Sequence, residues 1–329
     1  MVSLRKNIGG GFMKFISFKD PNFKFSGVWQ ENGQDEIVSY GTVAFAEIGF
    51  EGNELEVIGY TDKAVYFYID GEYVAPENTD NGYKFSLDCG KHTLKISSRD
   101  IHSFHFKGIY VSDDAKLFVT PKKPYVHFIG DSITCAYPGF AAASAMKLGV
   151  DFSIVAKGGM SLVDGWGWYK PYDLLSNRHG MESTYFGLEL MGNTPTLTPY
   201  KFEYLRMPDI VVIFLGTNDY IDAELDEARG NIDIFASHYL AFVKKIRSLY
   251  PDAPILMLQA LSDKYCRRRG IDTAFELISK EVDKVKLIPS HTWDVELIYD
   301  ITHPSEQGYA YMGDRMAEVL KGEIEKLDI

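Results

Sequence analysis

The chain has 329 residues, 46% of them hydrophobic and 24% charged, with a formal net charge of −12. That length suits two domains, and the mixture is that of a globular rather than a disordered protein. The acidic excess argues against a nucleic-acid partner, which requires a basic surface, and favours a neutral over an anionic substrate.

The first residues, MVSLRKNIGGGFMKF, hold no apolar run long enough for a signal-peptide core. No stretch approaches the roughly 20 apolar residues of a membrane helix. A cytoplasmic protein with no membrane partner is therefore expected, unless a leader has been removed. From about residue 14 to 118 the residues alternate in the manner of strands. Val43, Phe45, Glu47 to Phe50, Leu55–Ile58 and Ala64–Ile69 form short β-rich runs. Asp70-Gly71 between VYFYI and EYV is a hairpin signal, because both central positions of such a turn favour positive φ. Gly90-Lys91 before HTLKISS reads as a second turn. No helical spacing occurs, so residues 1–120 are expected to form an all-β sandwich of jelly-roll type.

Pro121-Lys-Lys-Pro124 reads as a short stiff linker, after which the pattern changes. Tyr125–Ile129, Phe152–Ala156, Ile210–Leu215, Ile255–Gln259 and Val285–Ile288 are continuous apolar runs, as parallel strands covered on both faces require. Residues 231–250 and 305–323 carry 3.6-residue spacing with polar opposite faces. Strands alternating with helices imply a three-layer α/β/α domain with a parallel sheet over residues 121–329. In such sheets functional residues gather in loops at the carboxyl ends of strands.

Four segments fall at such ends. Gly130-Asp131-Ser132-Ile133-Thr134 follows VHFI and can present a serine hydroxyl near helix-terminal amides; as an isolated triplet it could equally be a helix cap. Lys157-Gly158-Gly159-Met160-Ser161 ends the second strand, and glycine there allows a backbone amide to approach a ligand or simply permits a tight turn. Gly216-Thr217-Asn218-Asp219 offers an Asn amide to a developing oxyanion, or an Asx turn. Asp300-Ile301-Thr302-His303-Pro304 places a carboxylate three residues before a histidine, a spacing that lets the carboxylate orient the same imidazole that deprotonates a serine. A surface pair would look identical, and no HExxH or second close ligand supports a metal site.

In the order Ser, Gly, Asn, His, the four segments together resemble the four-block pattern of the SGNH (GDSL-like) hydrolase superfamily across residues 125–329. The resemblance implies a flavodoxin-like α/β/α sandwich and ester hydrolysis without cofactor or metal. By position, Ser132 would be the nucleophile and its own amide one oxyanion donor. Gly159 would supply a second amide, with Gly158 the alternative one residue away, and the Asn218 side chain a third contact. His303 would be general base and acid, oriented by Asp300. A β-sandwich placed before this half, together with GDSITCAYPG, resembles the family-two carbohydrate esterases, which deacetylate xylan- and mannan-type sugars. Some of these manage with a Ser-His dyad; the DxxH spacing here implies a triad. Members often carry an aromatic residue before the histidine, where this chain has Thr302.

Residues 160–207 form a long insertion containing Trp166-Gly-Trp168-Tyr169 and several glycines, suited to a sugar-binding wall or to packing against the β-sandwich. Asp131, Trp166 and Trp168 are the expected substrate contacts. Cys89, Cys135 and Cys266 form no metal pattern and read as reduced thiols. The expected activity is removal of acetyl groups from xylo- or manno-oligosaccharides. The alternatives are a short-chain esterase, lipase or arylesterase of the same fold, and a non-catalytic carbohydrate-binding protein.

Overall fold

Apolar residues at every second position make a half-buried strand, and unbroken apolar runs make a fully buried one. The chain uses the first device before residue 122 and the second after it. A computed structural model describes residues 5–8, 11–33, 35–61, 64–99, 104–166, 179–187, 197–219, 228–262, 267–298 and 302–327. It divides into two compact units: residues 1–122 with 201–206, and residues 123–200 with 207–329.

The described part of the first unit is built of strands: β1 (Arg5–Ile8), β2 (Gly11–Ser17), β3 (Lys24–Glu31), β4 (Ile37–Tyr60), β5 (Val65–Ile69), β6 (Glu72–Tyr73), β7 (Glu77–Thr79), β8 (Gly82–Arg99), β9 (His105–Ser112) and β10 (Leu117–Phe118). Their pairing within the unit is antiparallel throughout. The two-residue turn at Asp70-Gly71 has φ of 53° and 90°, the paired positive values that a tight hairpin demands. The turn expected at Gly90-Lys91 is not one: β8 runs through it, with Gly90 opposite Gly52 of β4. Gly52 itself has φ 158° and a register shift follows it, so the two glycines let long strands bend where the sequence suggested separate short ones. The core between the strands contains Phe18, Trp29, Phe50, Phe67 and Phe106, each at most 1% exposed. Residues 201–206, read from the sequence as part of the second domain, belong with this unit. Tyr204 packs on Phe18 and Phe25 and bonds Glu31, while Lys201 N–H donates to Gln30 Oε1 at 3.1 Å.

In the second unit, β11 (Tyr125–Gly130), α1 (Ser132–Cys135), α2 (Phe140–Leu148), β12 (Asp151–Ala156), α3 (Met181–Thr184), β13 (Ile210–Phe214), α4 (Ala228–Leu249), β14 (Ile255–Leu258), α5 (Arg267–Glu281), β15 (Val285–Ile288) and α6 (Glu306–Ile324) follow in turn. The strands pair in parallel in the order β12-β11-β13-β14-β15. Counted along the chain this is 2-1-3-4-5, the flavodoxin-like order, whose switch point lies beside β11. Every residue of β11, β12, β13 and β14 is buried, which accounts for their mostly apolar runs, interrupted by the buried His127, Asp151 and Ser153. The edge strand β15 admits the exposed Lys286. Helices α2 and α5 were not singled out by the sequence reading; α5 starts on three consecutive arginines, which obscure its apolar face.

One polar chain crosses this core. His127 of β11 lies 2.7 Å from Ser153 Oγ through Nδ1 and 2.9 Å from Tyr185 OH through Nε2, and Tyr185 OH meets Tyr250 OH at 2.6 Å. Burial holds the imidazole neutral, with its pKa lowered to about 3. The bonds tie the ends of α3 and α4 to the strand that leads into Ser132.

Candidate active site

Parallel register sets the site's rows. Gly130, the last residue of β11, stands opposite Ala156 of β12 and Phe214 of β13. Ser132, the Gly158-Gly159 turn and Asn218 therefore leave one edge of the sheet from three adjacent strands. Gly130 is required at the row: a Cβ there would lie 2.0 Å from Thr134 Oγ1.

Asp131 has extended backbone angles and caps α1, its Oδ1 accepting from Ile133 N at 3.0 Å. Its side chain is fully buried, so the expected direct contact with substrate is replaced by a role in holding the serine turn. Burial raises its pKa to about 6, against the Ile133 amide, Thr217, His303 and Arg267, which favour the ionised form. Ser132 itself is half-buried, and its Oγ lies 2.8 Å from His303 Nε2.

The histidine is placed by an antiparallel bridge between Leu297 and Pro304. Ile298 N–H donates to His303 O at 2.8 Å, and Ser305 N–H donates to Glu296 O at 2.9 Å. Ser305 then caps α6 through Gly308 N. Gly308 has no room for a side chain, since a Cβ would sit 2.2 Å from Glu296 O. Asp300 lies outside the described residues, as do Trp168, Cys266 and Ile301. Trp166 is half-buried, its N–H donating to Val163 O at 3.2 Å.

Lys157-Gly158-Gly159-Met160 closes as a four-residue turn with Met160 N–H donating to Lys157 O at 3.2 Å. Its third residue, Gly159, has φ 70°, which type II turns reserve for glycine, whereas open space surrounds a Cβ at Gly158. Gly159→Ala is therefore expected to lower kcat about tenfold or more, and Gly158→Ala less than about twofold. Equal losses in steady-state assays of the two variants would contradict this placement.

Two functional residues escaped the sequence reading. Asn218 Nδ2 donates to Met160 O at 3.0 Å, and the next residue, Asp219, accepts from Leu162 N at 2.8 Å and Val163 N at 3.0 Å. The last letter of GTND is thus a clamp on the loop after Gly159; an acidic residue beside the amide was the available signal. Burial raises Asp219 to about 7, opposed by the two amides and reinforced by the charges of Asp131 and Glu182. The folded chain holds that proton up to about 7, while the unfolded chain releases it near 3.8. Between those values the folded state binds more protons, so this contribution to stability is complete at low pH and is lost as pH rises through 7. In urea unfolding, wild type should lose stability relative to Asp219→Asn as pH rises from about 4 to about 7. Parallel stability curves for the two proteins would refute that reading.

The second residue is Arg267, 3% exposed, whose Nη1 donates at 3.1 Å to Oγ1 of Thr302, the residue next in sequence to His303. Among RRR its neighbours Arg268 and Arg269 are less buried, and nothing in the sequence separates the three. Thr302, where members of the resembled family often carry an aromatic residue, is an anchor for this guanidinium.

Residues 128–311 match the GDSL-like lipase/acylhydrolase family, more than half of the chain. The chain belongs to that family. It is 23% identical over 323 residues to the cellulase/esterase CelE of Acetivibrio thermocellus, covering 84% of this chain and 36% of that protein. The chain thus spans about a third of that relative's length. An acetylxylan esterase / glucomannan deacetylase of Cellvibrio japonicus is 25% identical over 267 residues, covering 70% of this chain and 71% of that one. The structure of a family-two carbohydrate esterase from Cellvibrio japonicus superposes with TM-score 0.73 at 16% identity, covering 95% of this family member and 98% of that chain. The last likeness is one of fold.

Proposed function

We propose that the chain is a carbohydrate O-acetyl esterase acting on neutral, acetylated xylo- or manno-oligosaccharides. The observation that carries the reading is the 2.8 Å approach of Ser132 Oγ to His303 Nε2 at the carboxyl edge of the sheet, with Asn218 leaving the adjacent strand. The esterase names of the two curated relatives support it, and so does the acidic balance of the chain.

In the proposed cycle Ser132 Oγ attacks the acetyl carbonyl carbon while its proton passes to His303 Nε2. The tetrahedral oxyanion is held by the amides of Ser132 and Gly159 and by Asn218 Nδ2, one of whose hydrogens is already committed to Met160 O. Collapse breaks the ester bond, and His303 gives its proton to the departing sugar oxygen. Water, deprotonated by the same histidine, then attacks the acetyl-serine, releasing acetate and restoring the hydroxyl. Asp300 is proposed to orient His303, and Trp166 and Trp168 to contact the sugar. The antiparallel pairing of the first unit supports its reading as a jelly-roll.

Acetate release from acetylated xylo- and manno-oligosaccharides, beside p-nitrophenyl acetate and a longer-chain ester, tests the reading. Serine-dependent release from the sugars is expected. Activity confined to p-nitrophenyl esters, or a preference for the long chain, would transfer the protein to the general esterases of this fold.

A further inference from the structure

A feature of the first unit is used by none of this chemistry. A groove of about 560 Å³ lies between the end of β4, the β7–β8 hairpin and β9. Tyr60 lines it and is 53% exposed. An exposed tyrosine ordinarily turns among several rotamers, and fixing it costs entropy. This one is fixed. Its ring stacks on His105, with centroids 4.4 Å apart and planes 12° from parallel. His105 is pinned in turn, its Nδ1 2.8 Å from Glu36 Oε1. Glu36 is 1% exposed; burial opposes its charge, but the bonds from His105 and Asn32 outweigh this and hold its pKa below the usual value. A buried carboxylate thus anchors an imidazole, and the imidazole backs an aromatic ring that stands half in solvent.

The rest of the groove supplies short-range polar groups. Asn78 and Asn81 are exposed on the hairpin, which is tied to β4 by Gly59 N–H donating to Asn81 O at 3.2 Å. Lys107 and the half-buried Tyr110 line the opposite wall on β9, and the side chain of Glu56 is buried beneath. Asp80 is exposed on the hairpin, so with Glu56 and Lys107 the lining carries charges of both signs and suits a polyanion poorly. A backed aromatic face beside amides, hydroxyls and scattered charges of both signs fits a ligand with one apolar flat face and many hydroxyls, within the usual size of a small-molecule site.

We infer that this groove is a second, non-catalytic binding site for a neutral glycan, with Tyr60 as the platform under one sugar ring. The choice of glycan rests on the reading of the protein as a carbohydrate esterase; the platform itself does not. Such a site would raise the local concentration of a chain whose other units are being deacetylated.

The test uses the full chain carrying Ser132→Ala, titrated with deacetylated xylo- and manno-oligosaccharides by calorimetry, and the same protein with Tyr60→Ala, Tyr60→Phe or Trp166→Ala. Tyr60→Ala should weaken binding about tenfold or more, while Tyr60→Phe, which keeps the stacked ring, should change it less than about threefold. In the otherwise unaltered enzyme, Tyr60→Ala should leave kcat/KM for p-nitrophenyl acetate unchanged. Equal affinity with and without the Tyr60 ring, binding lost only on Trp166→Ala, or no binding by any protein would overturn the inference. Tyr60-dependent binding by a wild type that hydrolyses no acetyl ester would uphold this site and remove the catalytic reading instead.

Discussion

Replacing Ser132 with alanine should lower kcat for acetyl esters by about 10⁴-fold or more while leaving the fold intact. The expectation follows from what each atom does. The hydroxyl is the group 2.8 Å from His303 Nε2, and nothing else in its side chain supports the turn. The turn is held from the residue before, by Asp131 accepting from Ile133 N, and from the floor, where Gly130 leaves no space for a Cβ. Melting curves of the variant should therefore overlay those of wild type. Activity above about one part in a hundred in the purified variant would exclude Ser132 as the nucleophile.

Removal of the Asn218 amide is expected to have the next largest effect, about 10²- to 10³-fold in kcat with little change in KM. One amide hydrogen of Asn218 holds the Met160 carbonyl, which keeps the side chain in a single orientation and leaves the other hydrogen to meet the oxyanion. A donor fixed in this way strengthens its bond as charge develops on the carbonyl oxygen, so its loss is felt in the transition state rather than in ground-state binding. Asn218→Asp preserves size but cannot donate when ionised, and adds a third carboxylate near Asp131 and Asp219. It should be as inactive as Asn218→Ala. If Asn218→Asp kept wild-type kcat, or if either variant acted mainly through KM, the oxyanion role would be wrong.

The sequence disclosed these features unevenly, for physical reasons. Parallel strands buried on both faces have mostly apolar positions, so β11, β12 and β13 and the loops after them were visible as largely apolar runs followed by polar punctuation. Asp70-Gly71 was visible because two consecutive positive φ values demand such residues. Gly90 misled because a glycine that bends a strand and a glycine that turns a chain look alike before their partners are known; Gly52, across the ladder, decides it. The attachment of residues 201–206 to the first unit depends on Tyr204 packing against Phe18 and Phe25, a contact between segments far apart in sequence. Asp219 and Arg267 were hidden for a related reason. What they hold are backbone amides and a threonine hydroxyl contributed by other segments, and no spacing rule encodes that.

The central claim is that Ser132, activated by His303, performs acyl transfer, and stoichiometric labelling with p-nitrophenyl diethyl phosphate tests it most directly. Attack by the serine oxygen on phosphorus expels one p-nitrophenolate and leaves a diethylphosphoryl ester on the enzyme. The account predicts one equivalent of p-nitrophenolate per chain, loss of esterase activity in step with it, and the label on the peptide carrying Ser132. A label on any other residue, or full activity in protein labelled at Ser132, would contradict it.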